Sequence, residues 1–532
     1  MKNTTILLLA ILCAGSLLTA QTAPWGIALS NVPAPDFQPV QSGAGAVGTD
    51  GAILLMAGRA DGLHKRQPWA TFLPEGANTL IQVIQPATGQ VWTSDIGTLP
   101  VALREQLLST NPVFTQAGPW LYMAGGYGYS ATAGDHITHE LLTVVRVDSL
   151  IAAVRNGGSI APWFRSISDA QFAVTGGYMA VLDNVFYIAG GQRFEGRYNP
   201  MNHATFVQTY TNAIRRFSIT DDGINIQAAF LPEWTDAAQL HRRDYTMAPQ
   251  VFPGGQRGFT MFSGVFQPTV DLPFLNTVDF TPNGFTVNND FQHRLNQYHC
   301  AHITLWDSLA QDMHTVFLGG IAQYFFDDTG ALQQDDNVPF VTTIGRVTRK
   351  DDGTMSEEKI GDLPGLLGAG AEFVPLPQWA ANDQLIPLHQ LQGDTVLLGH
   401  LIGGIESDEP NVFFQNGDLS RAYNGILAVY RTPQSATPVK APATPGAFSA
   451  AGIYPNPTRE SALVQFTLTH PAECTFLLQS SDGKMITTEP LGLLPAGEQK
   501  IQLQVSRFPP GAYPVTLRAG QELKTLTLMI GQ

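Results

Sequence analysis

The chain has 532 residues and a formal net charge of −15, a balance that speaks against nonspecific attraction to nucleic acid or to anionic membranes. Charged residues are only 14% while Gly and Pro number 52 and 36, which disfavours a helical chain and points to a turn-rich all-β one. Cys13 falls in an apolar leader and Cys300 and Cys474 lie far apart, so no disulfide framework is expected.

Lys2 precedes the apolar run Ile6 to Leu12, and Leu18-Thr19-Ala20 supplies small residues for cleavage, which predicts a signal peptide over 1–20 and a mature start at Gln21. The run is well short of the roughly 20 residues that span a bilayer. Ala10-Ile11-Leu12 lacks the small residue expected before a lipidated Cys13. No other segment is apolar enough to cross, so no transmembrane anchor is expected. The body that remains, about 410 residues, exceeds a single compact domain unless it is a repeat or propeller architecture.

Internal repetition organises that body. A strand of large apolar residues ending in Gly or Gly-Gly occurs six times: Ile53 to Gly58, Leu121 to Gly126, Val185 to Gly191, Phe259 to Gly264, Thr315 to Gly320 and Val396 to Gly404. The first aligned glycines, at 58, 125, 190, 264, 319 and 403, are spaced by 67, 65, 74, 55 and 84 residues. After a long polar loop each unit continues in a second alternating strand: Leu80 to Gln85, Leu141 to Asp148, Ala213 to Ile219, Thr277 to Thr281, Thr342 to Thr348 and Ile426 to Arg431. Thr88-Gly89, Asp221-Asp222-Gly223, Pro282-Asn283-Gly284 and Asp351-Asp352-Gly353 then supply hairpin turns, whose positive φ angles suit Gly and Asn. Outgoing strands end at Leu99-Pro100, Leu231-Pro232 and Leu363-Pro364, as befits edge strands.

With an inner strand before each glycine strand, six repeats of four strands predict a six-bladed β-propeller over 21–432. The apolar-strand-Gly-Gly pattern, with Arg243-Asp244-Tyr245 before the fourth unit and Trp92 in the first, resembles kelch repeats. The spacings exceed the usual kelch period and the repeat tryptophan is mostly missing, so the resemblance implies topology alone. The sixth unit lacks an outer strand and Trp25 to Pro33 looks like an orphan one, so pairing the two is expected to close the ring and remove an exposed edge.

The six glycine motifs read as structural, letting neighbouring blades pack closely. The long loops after them are expected to emerge together on one face, where binding residues concentrate. They carry Arg59, His64, Arg66 and Trp69, then Tyr127 and Tyr129, then Arg193, Arg197, Tyr198 and His203, then Tyr324, and later Phe413 and Phe414. Aromatic faces beside planar charged groups hold sugar rings and polypeptide surfaces. Asp327, Asp328, Asp335 and Asp336 are candidate Ca²⁺ ligands, although they lack the alternate spacing of a calcium loop. No motif calls for a cofactor.

Catalytic signatures are sparse. The Ser-x-Asp-x-Gly-x-x-Trp turns of sialidase propellers, a phosphate loop, a His-Glu-x-x-His helix and a Gly-x-Ser-x-Gly elbow are absent from the sequence. Tyr298, His299, Cys300 and His302 are the residue types of a copper-radical oxidase, but strand alternation sends neighbours to opposite faces. Two classes follow: a non-catalytic binding or adhesion module for a glycan or protein, or a secreted carbohydrate-active enzyme, epimerase- or oxidase-like, with its site at the ring axis. Arg242, Arg243 and His302 are the axial candidates; an axis lined only by Gly, Ala and Val would eliminate the enzyme.

Residues 433–447, rich in Pro, Ala and Thr, read as a linker. Beyond it, Tyr454-Pro455-Asn456-Pro457, the turn Pro510-Gly511-Ala512-Tyr513 and the last strand Leu523-Lys524-Thr525-Leu526-Thr527-Leu528 recur in an order and spacing that resemble the type IX secretion system C-terminal sorting domain (type A) of Bacteroidetes. The resemblance implies a small β-sandwich over 448–532, a partnership with the secretion machinery, and passage through the periplasm to the outer-membrane surface or the medium. Within it Tyr454, Pro455, Asn456, Pro457, Gly511, Tyr513 and Lys524 carry the sorting motif.

Overall fold

The computed structural model describes residues 25–433 and 448–531, except 68, 200–204, 328, 381–383, 414–418, 469–470, 481–484 and 520–521. The predicted signal peptide, linker residues 434–447, His203, Asp328 and Phe414 lie outside the described residues. The chain is all-β and divides into two units, 1–434 and 435–532.

The larger unit is built of successive antiparallel sheets. The first comprises Ala44–Val47, Ile53–Met56, Leu80–Gln85 and Gln90–Asp95; the second Val113–Ala117, Trp120–Ala124, Leu141–Arg146 and Phe164–Ser168. The third runs through Tyr178–Leu182, Val185–Ala189, Ala213–Asp221 and Ile226–Thr235, and the fourth through Thr246–Val251, Arg257–Phe262, Thr277–Thr281 and Gly284–Asn288. In the fifth, Ala301–Asp307, Asp312–Leu318, Thr343–Arg349 and Met355–Asp362 are joined by Leu385–Pro387, parallel to the first of them. The sixth takes Leu366–Pro375, Val396–Ser407 and Ile426–Pro433 from one end of the unit and Trp25–Asn31 from the other. Trp25 pairs with Pro433 and Asn31 with Leu427, so the N-terminal strand covers an edge that would otherwise stand open.

The glycine strands show why glycine recurs. Gly126 donates its N–H to Val174 O, Gly191 to Arg242 O, Gly320 to Leu367 O and Gly404 to Val40 O, each bond crossing to the next sheet. A Cβ on the preceding glycine would sit 1.9 Å from Val174 O at Gly125, 2.4 Å from Leu367 O at Gly319 and 2.1 Å from Val40 O at Gly403. All three have positive φ, so absence of a Cβ serves both the turn and the close approach.

A second regularity lies at each first strand: Ser42, Asn111, Gly176, Asp244 and His299 stand two residues before it and Gly370 lies within it, and all six have φ between 50° and 65°. Each donates its N–H to the carbonyl of the one before: Asn111 to Ser42, Gly176 to Asn111, Asp244 to Gly176, His299 to Asp244, Gly370 to His299, and Ser42 back to Gly370, at 2.7–3.2 Å. These six bonds form a closed circuit that ties the sheets together.

Several long loops have structure of their own. Tyr127–Ser130 with Asp135–Thr138, Gln192–Gly196 with Phe206–Tyr210, and Tyr324–Phe326 with Leu332–Gln334 form two-stranded ribbons. In the second sheet, where the sequence offered no turn signal, the helix Val147–Arg155 makes the connection and buries Val147, Leu150, Ile151 and Val154 against the first sheet. That spacing is one apolar helical face.

The smaller unit is a sandwich of two sheets. One pairs Phe448–Tyr454, Ser461–Leu468 and Gly497–Gln504; the other orders Met485–Leu494, Ala472–Gln479, Gly511–Ala519 and Glu522–Ile530. Val464, Phe466, Phe476, Tyr513, Val515, Leu517 and Leu528 fill its core.

Candidate functional site

Loops from the second and third sheets meet those of the first in an aromatic wall. Phe72 stacks on His64 at 4.9 Å and meets Tyr127 edge-on at 5.2 Å; Tyr127 meets Phe194 at 5.1 Å, and Tyr198 meets His64 at 5.1 Å. The Tyr127 hydroxyl donates to Gly196 O at 2.8 Å and accepts from Tyr198 N at 3.2 Å, pinning the two loops together. Arg59 is buried beneath Phe72, 5.5 Å from its ring, and its guanidinium is held by Asp61 and Leu73 O.

This wall bounds a funnel of about 470 Å³, completed by Phe266, Asp271, Asp336, Val338 and Phe413 and floored by Asn111, Gly176, Asp244 and His299 of the hydrogen-bonded circuit. Arg243 forms an ion pair with Asp244, donates from Nε to the Tyr210 hydroxyl at 3.2 Å, and lies 4.9 Å over Phe266. His299 places Nε2 3.1 Å from Ser42 Oγ and Nδ1 3.8 Å from Asp244 Oδ1. Burial holds its pKa below the ordinary value, opposed by the charge of Asp244 and aided by the smaller effect of Arg243, so the ring is neutral at pH 7. His64 is lowered to about 4, chiefly by burial. The Tyr298 hydroxyl, also lining the funnel, has no hydrogen-bond partner among the described residues.

Of the residues expected on this face, His64, Arg66, Tyr127 and Tyr198 line the funnel and Arg59 braces it. Tyr129 packs on His136 at the rim of the wall, at 5.4 Å. Arg197 donates to Thr71 O and Trp69 O and so shapes the loop, while Trp69 itself is 74% exposed and stands outside the lining. Arg193 bonds Glu195 and Glu140 beside a different cavity, and Tyr324 sits in the Tyr324–Phe326 ribbon, also outside the lining. Asp244 and Phe266 were not singled out by loop composition, because they precede or follow strands. The missed signal is the recurrence of residues tolerant of positive φ, such as Asn, Asp and Gly, two positions before the first strand of each of the first five sheets.

On the far side of the circuit lies a second, smaller cavity of about 140 Å³, sharing Asn111, Gly176, Asp244 and His299 with the funnel. Its walls include Phe114, Tyr178, His302 and Glu372. The four oxidase-type residues are divided by the circuit and not by the expected strand alternation: Tyr298 lines the funnel, Cys300 and His302 line this cavity, and His299 touches both. Burial pushes the Cys300 thiol up to about 12. Arg242 is wholly buried and donates to Gln239 O, Ser263 O, Asn276 O and Asn276 Oδ1, so it bolts loops together and stands apart from both cavities.

The acidic candidates serve their own turns. Asp327 accepts from the Thr329 hydroxyl, Ala331 N and Gln333 Nε2, which lower its pKa to about 2. Asp335 accepts from Asn337 N, and Asp336 from Gln323 and Gln334. Among the described residues no group of three or more His, Cys, Asp or Glu could hold a metal ion.

In the smaller unit Asn456 docks the Tyr-Pro-Asn-Pro turn on the last strand, donating from Nδ2 to Thr527 O and accepting from Met529 N, both at 2.7 Å. Tyr513 is buried and donates its hydroxyl to Pro509 O at 2.8 Å, closing the Pro510-Gly511 turn, while Gly511 pairs with Ile530 and Lys524 with Leu517. The family model described as a secretion system C-terminal sorting domain matches residues 452–531. Residues 452–531 are a type IX secretion C-terminal sorting domain. The sorting domain directs export to the cell surface or the medium and implies an encounter with the type IX machinery. Tyr454, 79% exposed at its turn, is open to a partner. No helix among the described residues is long and apolar enough to cross a membrane.

No curated protein matches the sequence. Among solved structures, the chain is similar to YjhT at 12% identity and TM-score 0.41, covering 74% of this chain and 100% of that one. It is similar to PorZ, a surface component of the type IX secretion system of Porphyromonas gingivalis, at 10% identity and TM-score 0.14, covering 92% and 81%. A third likeness is a Bacillus subtilis family 43 arabinoxylan arabinofuranohydrolase, at 11% identity and TM-score 0.25, covering 94% and 98%. At these scores none carries an argument about function.

Proposed function

We propose that residues 25–433 form a closed six-bladed β-propeller of kelch-like topology that acts outside the cell as a non-catalytic binding or adhesion module, holding a glycan or protein in the funnel. The circuit of six backbone hydrogen bonds and the pairing of Trp25–Asn31 with Ile426–Pro433 support the closed ring. One observation carries the binding reading: aromatic side chains and polar groups with free capacity, the Tyr298 hydroxyl first among them, converge in one cavity. The test is a glycan and protein binding screen of the full secreted chain beside Tyr298→Phe and Asp271→Asn. A ligand held in the funnel should weaken by about 5- to 30-fold in at least one variant, since each loses a polar contact worth about 1–2 kcal/mol. Binding untouched by both places the ligand elsewhere.

A second reading, a carbohydrate-active enzyme with an axial site, is favoured by the polar floor of Arg243, Asp244 and His299. Conversion of a sugar panel, followed by proton NMR and oxygen uptake, separates the two, because turnover replaces the non-catalytic reading. For the sorting domain, a chain truncated before Phe448 should stay in the periplasm; its appearance outside the cell would defeat the role assigned to that domain.

A further inference from the structure

We propose that the small cavity behind the circuit is a binding site for a monovalent cation, an ammonium or an alkali ion, which takes the place of a proton on Glu372. The inference is independent of what fills the funnel. Glu372 stands on Leu366–Pro375, the first strand of the sixth sheet, opposite Ile402, and its side chain lines the cavity. It is partly buried and has no hydrogen bond or ion pair among the described residues. Tyr178 and His302 line the same cavity, 6.1 Å apart between ring centroids, and neither the phenol nor the imidazole has a hydrogen-bond partner among the described residues. A carboxylate removed from water without a partner is expensive, so it holds either a proton or a counter-charge.

Among the described residues no Lys or Arg lines this cavity. Arg243 sits on the funnel side and is committed to Asp244 and Tyr210. The walls therefore offer acceptors and aromatic faces, Tyr178, Phe114 and Phe373, and no competing fixed cation. Aromatic faces around a carboxylate suit a monocation. A divalent ion fits poorly, since its second charge calls for more than one carboxylate and among the described residues no cluster of acidic and His side chains gathers here.

The groups that face Glu372 leave it alone in changing charge near neutrality. Burial raises Glu372 to about 8, lowers His302 to about 4 and raises Cys300 to about 12. Tyr178 is raised, first by burial and then by the charge of Glu372. Asp244 remains paired with Arg243, and His299 is neutral. Binding is thus an exchange in which the carboxylic acid loses one proton to solvent and the carboxylate gains one cation.

Calorimetry of the full chain with methylammonium chloride and with potassium chloride, each in two buffers of different ionisation heat, tests this. Expected at pH 7 is saturable binding with release of close to one proton, tightening about tenfold per pH unit up to the Glu372 pKa, and loss of both effects in Glu372→Gln. Response to methylammonium alone assigns an organic ammonium; response to potassium alone assigns an alkali ion. Absence of binding by either cation, binding without proton release, or binding retained by a folded Glu372→Gln overturns the proposal. Should that variant not fold, proton release in the unaltered protein decides, since burial places His302 near 4 and Cys300 near 12, away from the range of Glu372.

Discussion

Replacing Gly125 by Ala tests whether the sheets are held at backbone distance. The new Cβ would lie 1.9 Å from Val174 O and 2.9 Å from Phe172 O. Since Cβ–O contacts do not close below about 3 Å, the Val174 carbonyl must retreat by about 1 Å, and it is the acceptor of the Gly126 N–H across the sheet boundary. The left-handed conformation at φ 67° costs about 1–2 kcal/mol, the buried hydrogen bond about 1–3 and the overpacking about 1–3, for about 3–8 kcal/mol in all. Gly223→Ala is the control, because Gly223 has φ 90° but nothing within 4 Å of its Cβ, and it should lose only about 1–2 kcal/mol. Urea unfolding of the full chain, followed by tryptophan fluorescence, should therefore place the Gly125 variant at least 2 kcal/mol below the control. Equal destabilisation would refute the close approach.

Other expectations follow from packing and charge. Trp25→Ala removes a buried ring that lies 4.4 Å under Arg346 and meets His314 edge-on at 5.3 Å; a loss of about 3–5 kcal/mol by urea unfolding is expected, with the N-terminal strand showing the earliest hydrogen exchange. Arg242→Met leaves the carbonyls of Gln239, Ser263 and Asn276 without their donor and should cost about 3–5 kcal/mol, or prevent secretion of folded protein. Burial holds His139, His302 and His400 near 4, below the ordinary 6.5, so the unfolded chain binds the extra protons and stability should fall as pH drops from 6.5 toward 4. Glu372 is raised to about 8, so the folded chain binds the proton and stability should also fall as pH climbs from about 4.5 through 8. Urea midpoints should peak near pH 7, where the proton uptake by the unfolded histidines balances that by folded Glu372, and Glu372→Gln should flatten the alkaline side. Asn456→Ala, which loses both bonds to the last strand, should destabilise the sorting domain by about 1–2 kcal/mol and lower the secreted fraction in a fractionation assay.

Much of the strand plan was legible because glycine and alternation are local signals. The glycine strands and the strands after the long loops fall close to where pattern placed them; Leu80–Gln85 and Thr277–Thr281 coincide with the reading, as do the turns at Gly89, Gly223 and Gly353. Helix Val147–Arg155 was missed because its apolar face overlaps the end of an alternating strand, and the helix is stabilised by the neighbouring sheet. The loop face was legible only as a list. Arg193, Trp69 and Tyr324 have the same composition as His64 and Tyr198, yet stand outside the funnel, because direction depends on contacts such as Arg197 with Trp69 O.

Export and the sorting domain were determined by sequence alone, since a sorting signal is read from short motifs at fixed spacing, and residues 452–531 match that family. The tertiary structure decided what lies at the centre of the larger unit. Six residues far apart in the chain share one left-handed conformation and one circuit of hydrogen bonds, and Asp244, His299 and Glu372 acquire their neighbours only through it. Local pattern encodes a strand or a turn, whereas the charge state and reach of a side chain depend on what other sheets bring beside it.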